Sequence, residues 1–207
     1  MLQIDHVIFV AADLEVAAAK LLDRHGLASI PGGRHPGHGT ANRIVPLGDS
    51  YLELMGFVDE AEAAASPMGR WALEHRRHDP VPVAVCLRTD DIAPIAATLG
   101  ETPLAMDRVR PDGVRLSWKL AGLEGMLGPD SLPFFIEWDV APEDHPGAGT
   151  APHRVEPRGI DEVVLGRVIG PAARLVAAVP GVRITRFHPG VHWVGIATAA
   201  GRVVLKG

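Results

Sequence analysis

The chain has 207 residues, a formal charge of −5 and 47% hydrophobic residues, enough apolar material for one large or two small globular units. The slightly acidic balance argues against the basic surface that non-specific nucleic-acid binding needs, and no run approaches the roughly 20 apolar residues of a membrane span. One cysteine excludes an intramolecular disulfide framework, and MLQIDHVIFVAADLE has no basic leader, so a soluble cytoplasmic protein is expected.

The start, IDHVIFVAADLEVAAAKLLDRHG, reads as a strand, a helix capped by Asp13, and a stop at Gly26. ASIPGGR, TANRIVPL and SYLELMGF follow as three strands separated by Gly, Pro and Asp. Residues 1–58 therefore form a first β-α-β-β-β module. The alanines and WALEHRR of residues 59–80 predict a helical connector, with His75 and His78 exposed on it.

The same order returns over 81–139: PVAVCLR as strand, IAPIAATLG as helix, then TPLAMDRV, VRLSWKL and PFFIEWD. Cys86, inside the first of these, reads as a small core residue rather than a nucleophile. Residues 140–159, dense in Pro, Gly and His, read as a linker. A third, similar module spans 160–207, with IDEVVLG, the Pro171-led helix PAARLVAAV, and VRITRF, HWVGIAT and RVVLKG. Aligning the opening strands places His6, Ala84 and Glu162 together. Aligning the closing strands pairs Glu53 with Glu137.

Strand alternation puts His6 on one side with Ile4 and Ile8, and Glu53 on one side with Tyr51 and Met55. A carboxylate centred in YLELM is costly to bury alone, so it must meet a cation, a proton donor or a metal. Glu137, between Phe135 and Asp139 on its own face, poses the same problem. One histidine and two carboxylates would suit a divalent ion such as Mn, Fe, Ni or Zn, should the fold bring His6, Glu53 and Glu137 together. The competing reading pairs His6 with Glu53, or either with a neighbouring arginine, in a metal-free pocket wall. Trp71, Trp118 and Trp193 read as core or inter-module residues.

His-Pro-Gly recurs in HPGHGT (35–40), in HPGAGT (145–150) and at 188–190. The three places are not equivalent in the repeat, so this is turn chemistry rather than a duplicated site. The first loop also lacks the lysine and the helix of a phosphate-binding loop.

DHVIFVAADLEVA, GGRHPGHGTANRIVPLGDSYLELM, RTDDI and LPFFIEWD, taken in order, resemble the glyoxalase-like domain family of the vicinal oxygen chelate superfamily. The likeness covers most of residues 1–140. It implies an α+β fold of repeated β-α-β-β-β modules, with curved mixed sheets around a concave pocket. In metal-dependent relatives, a His on the first strand and a Glu on the last strand of each module converge on one divalent ion. Ala84 departs from that pattern. Family members resemble GG-x-H followed by GT-x-N, matched here by Gly32, Gly33, His35, Gly39, Thr40 and Asn42. His35, Thr40 and Asn42 would then bind substrate, the competing reading being that Thr40 and Asn42 only tie the turn. His38 matches nothing in the pattern and reads as a solvated loop residue.

Two functions follow as expectations. One is a metal-assisted lyase, isomerase or dioxygenase acting on a small oxygen-rich molecule, with Glu53 or Glu137 moving the proton. The other is a metal-free protein that binds or sequesters a small ligand. The odd third module, with its apolar strands, predicts burial against the first two or across a homodimer.

Overall fold

The computed structural model describes residues 1–110 and 112–207. Strand β1 (Gln3–Val10) leads into helix α1 (Leu14–His25). Asp13 starts that helix by accepting the Glu15 and Val16 backbone N–H groups, and Gly26, at φ 70°, ends it in a left-handed turn. Strands β2 (Ile30–His35), β3 (Thr40–Pro46) and β4 (Tyr51–Phe57) complete the first unit. Two short helices, α2 (Glu60–Ala65) and α3 (Pro67–His75), form the connector. His75 on α3 is half-buried rather than exposed, stacked on Trp71.

The second unit is β5 (Pro82–Arg88), α4 (Ala93–Leu99), β6 (Leu104–Val109), β7 (Arg115–Ala121) and β8 (Phe134–Trp138). A short helix α5 (Leu123–Leu127) that the sequence did not announce sits between β7 and β8. Both units pair their strands alike, and the antiparallel pairing of β1 with β5 joins them into one eight-stranded sheet of order β2-β3-β4-β1-β5-β8-β7-β6. This mixed sheet curls until its edge strands β2 and β6 touch.

The last segment is built differently. It contains β9 (Pro157–Leu165), α6 (Ala172–Ala177), β10 (Val182–Ile184), β11 (Val191–Thr198) and β12 (Gly201–Lys206). Its element order repeats that of the first two units, but its four-stranded sheet runs β10-β9-β11-β12. The opening strand is therefore central here, whereas β1 and β5 pair with the closing strands β4 and β8.

Period-two alternation divides the large sheet into two faces. Val7, Phe9, Leu52, Leu54, Val85, Leu87 and Phe135 point to the convex side, where α1, α4 and the small sheet cover them. Val163, Leu165, Val194 and Ile196 of the small sheet share that core, so one face of this sheet is buried on its own chain. Ile169, Ile184, Phe187 and Val204 of the same segment stay exposed. The concave side holds Ile8, Met55, Trp71, Cys86, Met126, Phe134 and Ile136. Among the described residues, no helix is long and apolar enough to cross a membrane.

Candidate functional site

The concave face encloses a cavity of about 250 Å3 between the first two units. Its walls are largely apolar, with Met55, Trp71, Met106, Trp118, Met126 and Phe134 among them, and His6, His35, Asn42 and Glu53 form a polar cluster on one side.

His6 is set by a break in the ladder. The β1–β5 register shifts between Ile4 and His6, and Asp5 at the shift is fully buried. Asp5 Oδ1 accepts from His6 Nδ1 at 2.7 Å, while Oδ2 accepts from Trp138 Nε1 at 3.1 Å and from His145 Nε2 at 3.0 Å. Arg88 Nη1 adds a cation at 3.8 Å. Burial alone would push the Asp5 carboxyl up; the hydrogen bonds from His145 and His6 outweigh it and hold the group well below the usual carboxylate range. His145 Nδ1 accepts from the Gly147 backbone N–H, which leaves its proton on Nε2, facing Asp5. An ionised Asp5 likewise keeps a proton on His6 Nδ1 and turns His6 Nε2 to the cavity. The His6 ring stacks on Tyr51, with centroids 4.5 Å apart.

Glu53, 7% exposed, lies between two imidazoles. Its Oε2 is 3.7 Å from His6 Nε2 and its Oε1 is 3.5 Å from His35 Nε2. Asn42 organises this side. Its Oδ1 accepts from the Gly33 N–H at 2.8 Å, so its Nδ2 donates to Glu53 Oε1 at 2.7 Å and to His35 Nε2 at 3.3 Å. A side chain on Gly32 would collide with Asn42, so the glycine makes room for this hub. His35 Nδ1 is then the protonated nitrogen and donates to Thr40 Oγ1 at 2.9 Å. Burial holds the His35 pKa below its ordinary value, as a neutral acceptor of the Asn42 proton requires.

The HPGHGT stretch is thus the end of β2, a hairpin turn with Gly37 and Gly39 at positive φ, and the start of β3. It brings His35 and Asn42 to the cavity wall, while Thr40, fully buried, stands behind His35 and orients it. His38 is half-buried rather than a free loop residue: it lines the cavity, and its Nδ1 is buried. Among the described residues three buried side-chain polar atoms lack a hydrogen-bond partner, His38 Nδ1, Trp71 Nε1 and Arg108 Nη1. All three belong to residues lining this cavity.

The profile of the glyoxalase-like domain family matches residues 4–176. The chain belongs to that family. The match runs past β8 into α6, further than the motifs at residues 1–140 reach. A hypothetical protein from Staphylococcus aureus shares the fold, with a TM-score of 0.58 at 15% identity over 100% of this chain and 86% of that one. Methylmalonyl-CoA epimerase from Streptomyces coelicolor, solved in complex with 2-nitronate-propionyl-CoA, aligns at 18% identity over 67% of this chain and 98% of that one, with a TM-score of 0.46. The Mycobacterium tuberculosis methylmalonyl-CoA epimerase aligns at 18% identity over 68% and 89%, with a TM-score of 0.43. No curated protein sequence matches the chain.

Within this glyoxalase-like frame, Glu137 is not where the repeat placed it. On β8, Phe134, Ile136 and Trp138 face the cavity, and Glu137 faces away. Its Oε2 accepts the Ile92 N–H at the start of α4, and its Oε1 pairs with Lys119 Nζ at 2.6 Å. His6, Glu53 and Glu137 therefore do not form one ligand set.

Among the described residues, the one group of three with ligand atoms within 4.8 Å of one another is Asp5, His6 and Cys86. It does not fit a resident divalent ion. All three residues are buried, and His6 Nδ1 and Asp5 Oδ1 are taken up by each other. Both Asp5 oxygens already accept N–H groups. The paired pattern of metal-dependent relatives also lacks its second half, because Ala84 and Phe134 hold the places equivalent to His6 and Glu53.

Sequence reasoning missed Asp5, Trp138, His145 and Arg108. For His145 the only signal was the HPGAGT echo, which also fits a plain turn. Its role depends on packing against Asp5, 140 positions away.

Proposed function

We propose that this glyoxalase-like chain binds a small, partly apolar, oxygen-bearing molecule in the cavity and moves a proton on it with His6 and Glu53. The three unpartnered polar atoms in one cavity carry the reading. Buried polar groups are nearly always hydrogen-bonded, so three exceptions around one space call for a ligand that supplies the partners. The walls of Met, Trp and Phe suit an apolar body.

The proton chemistry follows from the dyad. Asp5 fixes the His6 tautomer, so His6 Nε2 faces Glu53 across 3.7 Å without a hydrogen bond between them. When one of the two carries a proton, it serves as acid while the other serves as base. Such a pair suits proton abstraction next to a carbonyl, the first step of an isomerase or lyase. Asn42 keeps Glu53 in place.

The test is solvent deuterium exchange into a panel of small carbonyl compounds, followed by proton NMR. Exchange that disappears in E53Q and falls in H6N supports the reading. Exchange unchanged in both variants defeats it. A second reading, a protein that sequesters the same ligand without chemistry, is favoured by the apolar Ala84 and Phe134 in the second unit. It predicts tight ligand binding by wild type and E53Q alike, with no exchange by either. Metal analysis of protein purified without chelator is expected to find no stoichiometric divalent ion.

A further inference from the structure

Two arginines reach the cavity, and they are held differently. Arg34 Nη2 pairs with Glu62 at 2.6 Å, so its charge is matched. Arg108, near the end of β6, has no ion-pair partner among the described residues, and its Nη1 is buried without a hydrogen bond. The acidic residue beside it, Asp107, is taken by Arg115. Gly33 on β2 makes the space that Arg108 occupies, since a side chain there would collide with Nη1. Arg108 also lines a second cavity, of about 450 Å3, with Arg110, Glu143 and His145. Arg110 is matched by Asp112 and Asp144. Arg108 thus stands unmatched where the two chambers meet. A partly desolvated guanidinium with an idle N–H is costly unless an anion meets it.

We propose that Arg108 binds a carboxylate of the ligand, so that this cavity takes a small carboxylic acid with an apolar body. This rests on the reading of the cavity as a ligand site, and names its substrate class. The guanidinium fork matches the two oxygens of a carboxylate. One unmatched cation balances one negative charge, and Glu53 in the same cavity disfavours a dianion such as a phosphate monoester. The Met, Trp and Phe walls take the apolar remainder.

The test uses 4-phenylbutanoate and its neutral counterpart 4-phenylbutanamide. Each is titrated against the full chain while the fluorescence of the cavity tryptophans is followed. Wild type is expected to bind the acid at least about tenfold more tightly than the amide, as a charge-assisted pair requires. R108Q should lose that preference while keeping its affinity for the amide, and R108K, with the charge but not the fork, should fall between. Equal binding of the two probes by wild type, binding of neither at millimolar concentration, or a full preference surviving in R108Q overturns the proposal. Should R108Q fail to fold, an undiminished preference in R108K does the same. Carboxylate selectivity without deuterium exchange would defeat the proposed reaction and leave this inference standing. Exchange on neutral carbonyl compounds without selectivity would do the reverse.

Discussion

Glu53 and Phe134 occupy the same place in the two halves of the eight-stranded sheet. His6 pairs with Cys86 and Ile8 with Ala84 across the β1–β5 junction, which makes Ala84 the counterpart of His6 and Cys86 that of Ile8. Glu53 pairs with Ile8, and Phe134 pairs with Cys86. One unit therefore presents an imidazole and a carboxylate to the cavity, and at the equivalent places the other presents the Phe134 ring and buries Ala84. The Phe134 ring meets His6 edge-on at 5.7 Å. At these equivalent places the wall is polar in the first unit and apolar in the second.

Glu53 and Glu137 are expected to separate under substitution. Glu53→Gln should remove proton exchange on the ligand. Glu137→Gln should leave the cavity unchanged and weaken the start of α4, at a cost of about 1 kcal/mol. Urea unfolding and probe titration of the two variants check this. Loss of probe binding in Glu137→Gln with the fold intact would show that the residue reaches the site.

Asp5 is expected to make the protein acid-sensitive. Its folded pKa lies below the ordinary 3.8, so the stability it contributes is fully present above that pH and is lost as pH falls below it. Asp5→Asn should cost about 2 kcal/mol or more at neutral pH, because hydrogen bonds to a charged acceptor are lost. The variant should also show a shallower decline of stability in acid. Denaturant titrations from neutral pH down to about pH 3 measure both. Parallel declines for wild type and variant would remove Asp5 as the cause.

His35 is expected to titrate below 6.5, since burial lowers its pKa. The contribution of its neutral form is fully present above that value and is lost as pH falls through the folded pKa. Protonation at Nε2 would displace the Asn42 amide, so the His35 and Asn42 side-chain NMR signals should move together. Asn42→Ala should cost about 1–3 kcal/mol by leaving the Gly33 N–H and Glu53 without their partner. A His35 ring that titrates above 6.5 would contradict the tautomer assigned to it.

Cys86 is expected to be inert in the folded protein. It is fully buried, and its thiol is held in the protonated form. A disulfide reagent such as DTNB should react only after denaturation. Rapid stoichiometric labelling of the native chain would show that the cavity floor opens.

Legible in the sequence were the strands, the main helices but not α5, the Asp13 and Gly26 ends of α1, and the repetition of the first two units. Those depend on local chemistry and on periodicity along one stretch of chain. His6 and Glu53 were legible from strand alternation together with the family resemblance, and His35 and Asn42 from the GG-x-H and GT-x-N resemblance. Tertiary structure alone decided the rest. Glu137 aligns with Glu53 by eye, but pairing between strands places it three residues beyond the equivalent position, and an odd shift turns a side chain to the other face of the sheet. The last segment repeats the element order of the others, yet its opening strand lies inside its own sheet, because strand order is set by long-range pairing. Asp5 with His145, and Arg108 with Gly33, meet only when distant segments pack, and nothing local to either residue marks the contact.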